Sequence, residues 1–182
     1  MSRLTRRDFI IGSAAGAAVL GSRGLLAPTA AAAQQPADMT IARWSGQQNL
    51  SSQQLKEAAI KLTEQAIAGL GGLQRFVKRG DVVWVKPNIG WDRTPEQAAN
   101  TNPDVVATLV KLCFDAGAKA VKVGDNPCDI AAKTYVSSGI AAAVKPLGAE
   151  VLFLDKTRFK ETAIKGETVK SIPIFPAIRR CA

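Results

Sequence analysis

Apolar residues recur along the body of this chain at two alternating periods. Leu55, Ala59, Leu62, Ala66 and Leu70 fall at helical spacing, and Glu57 and Lys61 stand as an i, i+4 pair on the opposite side. Gly71-Gly72 stop the pattern, so a helix is predicted over 52 to about 70. "DVVWVKP" (81–87) then runs apolar with β-branched residues and a Trp, the composition of a parallel strand buried on both faces. A polar loop follows over 88–101. Asn102 is placed to cap the next helix and Pro103 to open it. The inner face of that helix is read as Val106, Leu109, Val110, Cys113 and Ala116, and the outer face as Asp104, Thr108, Lys111 and Asp115.

"KAVKVGD" (119–125) is the next strand and "NPCD" (126–129) the next loop. A helical stretch runs from about 130 to 147 with an interruption near Ser138-Gly139, and "AEVLFLD" (149–155) is a third strand. Strand, helix, strand, helix, strand over 82–155 predicts parallel neighbours with helical crossovers. The expected fold is therefore α/β, three-layered and Rossmann-like in the loose sense, with a mostly parallel sheet. Upstream, "MTIARWSG" (39–46) reads as a short first strand. Downstream, polar and apolar residues alternate around Lys165-Gly166, which predicts a C-terminal β-hairpin, and "PAIRRCA" (176–182) reads as the start of a helix.

The first 33 residues follow other rules. "TRRDFIIG" (5–12) leads into an Ala- and Gly-rich apolar stretch, then Arg23, Pro28 and a run of Ala. A charged start, a short apolar middle and a small-residue end are the marks of an export signal. Arg6 and Arg7 before Asp8-Phe9 resemble the twin-arginine form, with cleavage expected after Ala33. The twin-arginine export machinery is then a partner, and the location is the periplasm or the cell exterior. The apolar middle is too short and Gly-rich for a stable membrane span, unless the signal stays uncleaved as an anchor. Residues 34–38 read as a linker and 39–182 as the folded domain.

Composition narrows the chemistry. The chain has 182 residues and no histidine, which removes the commonest general base and metal ligand. Its formal charge is +9, with Lys and Arg spread along the chain. That balance suits anionic ligands or surfaces. It lacks the basic stripe with stacking aromatics that nucleic acid requires, so no nucleic-acid partner is expected. No G-x-G-x-x-G, P-loop or G-x-S-x-G motif is present. Cys113, Cys128 and Cys181 have no metal-ligand spacing and do not fill a four-cysteine iron–sulfur site, so no metal site is assigned and the cofactor is left unknown. Cys113 is read as a core residue. A bridge from it to Cys128 is disfavoured, because the helix and strand rises separate them by on the order of 15 Å, against roughly 7 Å for disulfide Cα atoms.

Polar residues repeat at the predicted strand exits: Lys86-Pro87-Asn88, then Gly124-Asp125-Asn126-Pro127, then Asp155. In open parallel sheets ligands bind at the carboxyl ends of strands. Lys86, Asn88, Asp125, Asn126 and Asp155 are therefore the candidate ligand-binding residues. Lys86 would meet an anion and Asp125 a metal or a transferred proton, while Gly124 would let backbone approach a ligand. Ordinary turn chemistry produces the same residues, and that reading stands beside the functional one.

"VWVKPNIGW", "TNPDVVATLVKLCFDAGAKAVKVGDNP" and "SGIAAAVKPLGAEVLFLD" resemble the family catalogued as domain of unknown function 362. The resemblance rests on the Lys-Pro-Asn exit, the Asn-Pro-Asp-Val-Val helix start, Gly-Ala-Lys before a strand and Gly-Asp after it. It spans about 40–181. It implies kinship with members that carry a twin-arginine signal, rather than those with a ferredoxin-type module. It also implies that family members continue past Arg179-Arg180-Cys181, so the chain is expected to be the front part of a longer protein, with a naturally short variant as the alternative. Three functions remain open: an enzyme or cofactor-handling protein, a periplasmic binding or accessory module without chemistry, or an inactive fragment.

Overall fold

A computed structural model describes residues 37–181, so the predicted export signal lies outside the described residues. The elements in chain order are α1 (Ser52–Gly69), β1 (Val82–Val85), α2 (Pro103–Asp115), β2 (Ala120–Val123), α3 (Ala131–Ser137), α4 (Ile140–Val144), β3 (Glu150–Val151), β4 (Lys160–Ala163) and β5 (Ser171–Ile174). β1, β2 and β3 form a parallel sheet in that order, and β4 and β5 form a separate antiparallel hairpin. The α/β class, the helices flanking a parallel sheet and the C-terminal hairpin are as expected.

Local chemistry explains the helix ends. Ser51 and Gln54 close a reciprocal capping box at the start of α1. Asn102 accepts from the Asp104 and Val105 amides at the start of α2, with Pro103 in the first turn. The break between α3 and α4 falls at Gly139, whose φ of 71° is left-handed.

Register sets the core. Val83 pairs with Val121 and Val85 with Val123, so these four share one face of the sheet. Val85, Val121 and Val123 are buried there with Val106, Val110 and Cys113 of α2 and Ile140 and Val144 of α4. The other face carries Val82, Trp84, Ala120 and Lys122, all half-buried. β1 is thus not buried on both faces. Lys122 lies 3.9 Å from Glu150 across the β2–β3 pair, and both charges act on the Cys181 thiol, which its burial pushes above the usual value.

Several expectations are corrected. The 39–46 segment is not a strand. It has no strand neighbour, and β-propensity without a partner makes none. Its polar groups bond locally and to α1, with Thr40 donating to the Ala66 carbonyl at 2.7 Å and Trp44 Nε1 to Gln47 O at 2.9 Å. On α1, Ala58 and Ala59 are buried while Leu55 is exposed, and Glu57 accepts from Gln53 rather than pairing with Lys61. Thr108 is buried, because α2 packs against both α1 and α4 and so has two inner faces; its hydroxyl is satisfied by Asp104 O at 2.7 Å. The third strand is only two residues long, because its partner β2 ends at Val123, opposite Val151; Asp155 then caps a 3₁₀ turn at Lys156–Arg158. The C-terminal segment makes a single 3₁₀ turn, Ile178–Arg180, and no α-helix.

Candidate functional site

The carboxyl ends of β1, β2 and β3 open on one edge, as parallel pairing requires. Asp125 is the hub. It is buried, and its carboxylate accepts the Ile89 amide at 2.9 Å while its other oxygen lies 3.1 Å from Lys86 Nζ. Lys86 Nζ also donates to Asn88 Oδ1 at 2.9 Å. Thus the first two strand exits are joined through one carboxylate and one ammonium group.

Tyr135 joins the third. Its hydroxyl accepts the Asp125 amide at 2.7 Å and lies 2.9 Å from the carbonyls of both Asp125 and Leu152, donating its single proton between them. Leu152 follows β3 directly, so one phenol from α3 ties the β2 and β3 exits together. Burial raises the Tyr135 pKa, and the nearby Asp125 charge pushes the same way against the bond from the Asp125 amide. The ring stacks at a tilt on Phe153, with centroids 4.6 Å apart.

The 88–101 loop is held to the same frame. Asn88 and Thr101 exchange two bonds, from Asn88 N to Thr101 Oγ1 and from Thr101 N to Asn88 O. Asn100 bridges Trp91 and Arg93. Gly90 O accepts from the Cys128 and Asp129 amides, and Asp129 accepts from Asp92 N. Ile89 is fully buried beneath this lattice.

Of the five candidates, Lys86, Asn88 and Asp125 come together. Asn126 is exposed beside them in sequence, without a hydrogen bond from its side chain among the described residues. Asp155 is occupied elsewhere: it accepts from the Thr157 hydroxyl at 2.8 Å and the Thr157 amide at 2.9 Å. These two bonds, with a smaller pull from Arg158, hold its carboxyl below the usual range. Gly124 serves the fold. A Cβ there would lie 2.7 Å from Leu152 O and 3.1 Å from the Trp84 ring, so glycine permits the close approach of the β3 chain. Cys113 is buried and Cys128 exposed, and both are free thiols. Among the described residues no three His, Cys, Asp or Glu side chains gather as a cation site.

Sequence reasoning passes over Tyr135, although a signal for it exists. It is the chain's single tyrosine, set in a short apolar helix after a strand exit, and a buried phenol needs a polar partner. A cleft of about 290 Å³ between the helices is lined by Lys56, Ile60, Asp104, Thr108, Lys111 and Leu147 among others. It contains none of the five candidates; Lys56 lies 4.0 Å from Asp104, and Lys111 is paired at 2.6 Å with Asp115 outside the cleft lining.

The parallel sheet and its laced exits define an open-sheet α/β protein whose candidate ligand edge lies at the strand carboxyl ends. Residues 83–182 match the family described as domain of unknown function (DUF362), and the chain belongs to that family. A relative, "Thylakoid-associated protein sll1697" of Synechocystis sp., is 43% identical over 58 residues. That stretch is 32% of this chain and 18% of the relative, so only a minor part of the relative's length is represented here. No solved structure matches the chain.

Proposed function

We propose that this chain is an exported α/β protein that binds a small anionic ligand at the carboxyl edge of its parallel sheet. Lys86 is the anion-contacting cation, with the Asn88 and Asn126 amides beside it. One observation carries the reading: the Lys86 ammonium is held by Asp125 and Asn88, yet its side chain remains 56% exposed. A cation fixed at a strand exit and open to solvent loses little side-chain freedom when an anion arrives. Asp125 then acts as the group that positions Lys86 and the 88–101 loop. Asp155, engaged by Thr157, stands at the margin.

Binding without chemistry is the favoured form of this reading. Lys86 and Asp125 are engaged with each other, and neither offers an unpaired base to a substrate. An enzymatic or cofactor-handling role is the second form. Titration of the full chain with inorganic phosphate by calorimetry tests the site. Lys86→Ala abolishes binding if the reading holds, and Lys86→Arg retains part of it. Phosphate affinity that survives Lys86→Ala rejects the site.

Export rests on the sequence of 1–33, with Arg6 and Arg7 as the signal pair, 34–38 as the linker and the twin-arginine machinery as the partner. Replacing both arginines by lysine strands the protein in the cytoplasm in this reading. Undiminished periplasmic recovery of that variant overturns it. Among the described residues no helix is long and apolar enough to cross a membrane.

A further inference from the structure

Lys and Arg are denser at the C-terminal end than along the rest of the folded part, and the acidic residues do not keep pace. Residues 37–155 carry thirteen Lys and Arg against twelve Asp and Glu, whereas 156–182 carry seven against two. The α/β part is therefore nearly neutral, and the hairpin with its flanks holds an excess of five positive charges. Five acids of the α/β part also meet partners there: all five ion pairs among the described residues involve cations before residue 156.

The hairpin displays much of this charge openly. Lys156, Arg158, Lys160, Lys165 and Lys170 are all exposed, against exposed Glu161 and Glu167. The turn that carries Lys165 and Lys170 is closed by Ile164 N donating to Lys170 O at 2.8 Å. Aliphatic groups lie among them, with Val169 52% and Ile172 38% exposed. The aromatic rings are withdrawn: Phe175 is buried, packed against Phe159 at 5.6 Å and covered by the Arg158 guanidinium at 5.2 Å.

We propose that the hairpin segment, 156–181, docks the protein on an anionic lipid surface. Dispersed ammonium groups suit a sheet of phosphate headgroups, and exposed Val169 and Ile172 supply apolar contact at the headgroup boundary. A single-stranded nucleic acid would call for exposed rings to stack its bases, and here the rings are turned inward. An acidic peptide would call for a groove, and the cations are instead dispersed from the 3₁₀ turn at Lys156–Arg158 through β4 to the turn that carries Lys165 and Lys170.

The test is co-sedimentation of the full 182-residue chain with extruded vesicles of phosphatidylcholine, with and without phosphatidylglycerol at about one lipid in three. At low salt the protein binds the anionic vesicles and spares the neutral ones, and binding falls as salt screens the charges. Each lysine near an anionic surface is worth roughly fivefold in partitioning. The triple variant K160Q/K165Q/K170Q therefore loses on the order of a hundredfold, and the matching Lys→Arg variant retains binding. Val169→Ser, which keeps every charge, loses less. The export signal is present in all variants, so the difference between them reads the hairpin lysines. Equal binding by the wild type and the triple glutamine variant overturns the proposal. So does equal binding to neutral and anionic vesicles, or tighter, equally lysine-dependent binding to a single-stranded oligonucleotide. Self-association of the triple variant with vesicle binding unchanged also overturns it, and would show that the lysines merely guard the strand edges.

Discussion

Asp125 and Lys86 form one ion pair but contribute unequally to the fold, and two alanine substitutions separate their roles. The Asp125 side chain is 10% exposed and accepts the amide of fully buried Ile89 at 2.9 Å. Truncation to alanine leaves that amide without its acceptor, at a cost of about 1–3 kcal/mol. The lost contact with Lys86 adds little. The lysine side chain is 56% exposed, and solvent holds such pairs to about 0–1 kcal/mol. Asp125→Ala is therefore expected to lower the unfolding free energy by about 1–4 kcal/mol and Lys86→Ala by less than about 1 kcal/mol. Asp125→Asn keeps an acceptor for Ile89 and recovers most of the loss. The double variant shows a coupling below about 1 kcal/mol. Urea unfolding followed by tryptophan fluorescence reads all four, provided the slope on denaturant is unchanged. Equal losses for the two single alanine variants, or an Asp125→Ala loss under about 0.5 kcal/mol, refute the view that Asp125 is a loop clamp and Lys86 a surface cation.

Tyr135→Phe removes the acceptor of the Asp125 amide and the donor shared by Asp125 and Leu152, so urea titration should record a loss of roughly 1–3 kcal/mol. Because the Tyr135 pKa is raised by folding, its contribution is complete below the ordinary phenol value and fades as pH rises through the folded one. Alkaline unfolding should accordingly be steeper in the wild type than in Tyr135→Phe above about pH 10; parallel curves would count against a raised value. Gly124→Ala places a methyl group 2.7 Å from the Leu152 carbonyl, a backbone atom that yields only if β3 shifts. Thermal unfolding should show a loss of about 1–3 kcal/mol, and wild-type stability would mean that the β2–β3 contact is loose. Asn102→Ala removes the acceptor of two amides at the start of α2 and should cost about 1 kcal/mol. Asn102→Ser should restore it, and failure of that rescue would assign the loss to something other than the cap.

Elements whose information is local are legible in the sequence. The cap at Asn102, the break at Gly139 and the hairpin around Lys165-Gly166 each depend on neighbours within a few residues. Elements that depend on distant partners are not. The 39–46 segment has strand composition but no edge to pair with, and the third strand ends early because its partner β2 ends opposite Val151. Thr108 looks solvent-facing on a helical wheel, yet α2 is contacted from two sides. The site shows the same division. Lys86, Asn88 and Asp125 are legible as strand-exit residues, whereas Asp155 reaches the edge by sequence position only and is occupied by Thr157.

By itself, then, the sequence determined the alternation of strands and helices, the family and the residue types at the sheet's carboxyl edge. Those follow from periodicity, capping chemistry and short motifs, all of which act over a few residues. Tertiary structure alone decided how the edge residues are used. It set Asp125 on Ile89 across 36 residues of separation and on Lys86 beside it, placed the Tyr135 hydroxyl between two strand exits, and brought the β3 chain close enough to require glycine at 124. A buried amide takes whichever acceptor the packing brings within reach, and that distance is set by the register of the whole sheet.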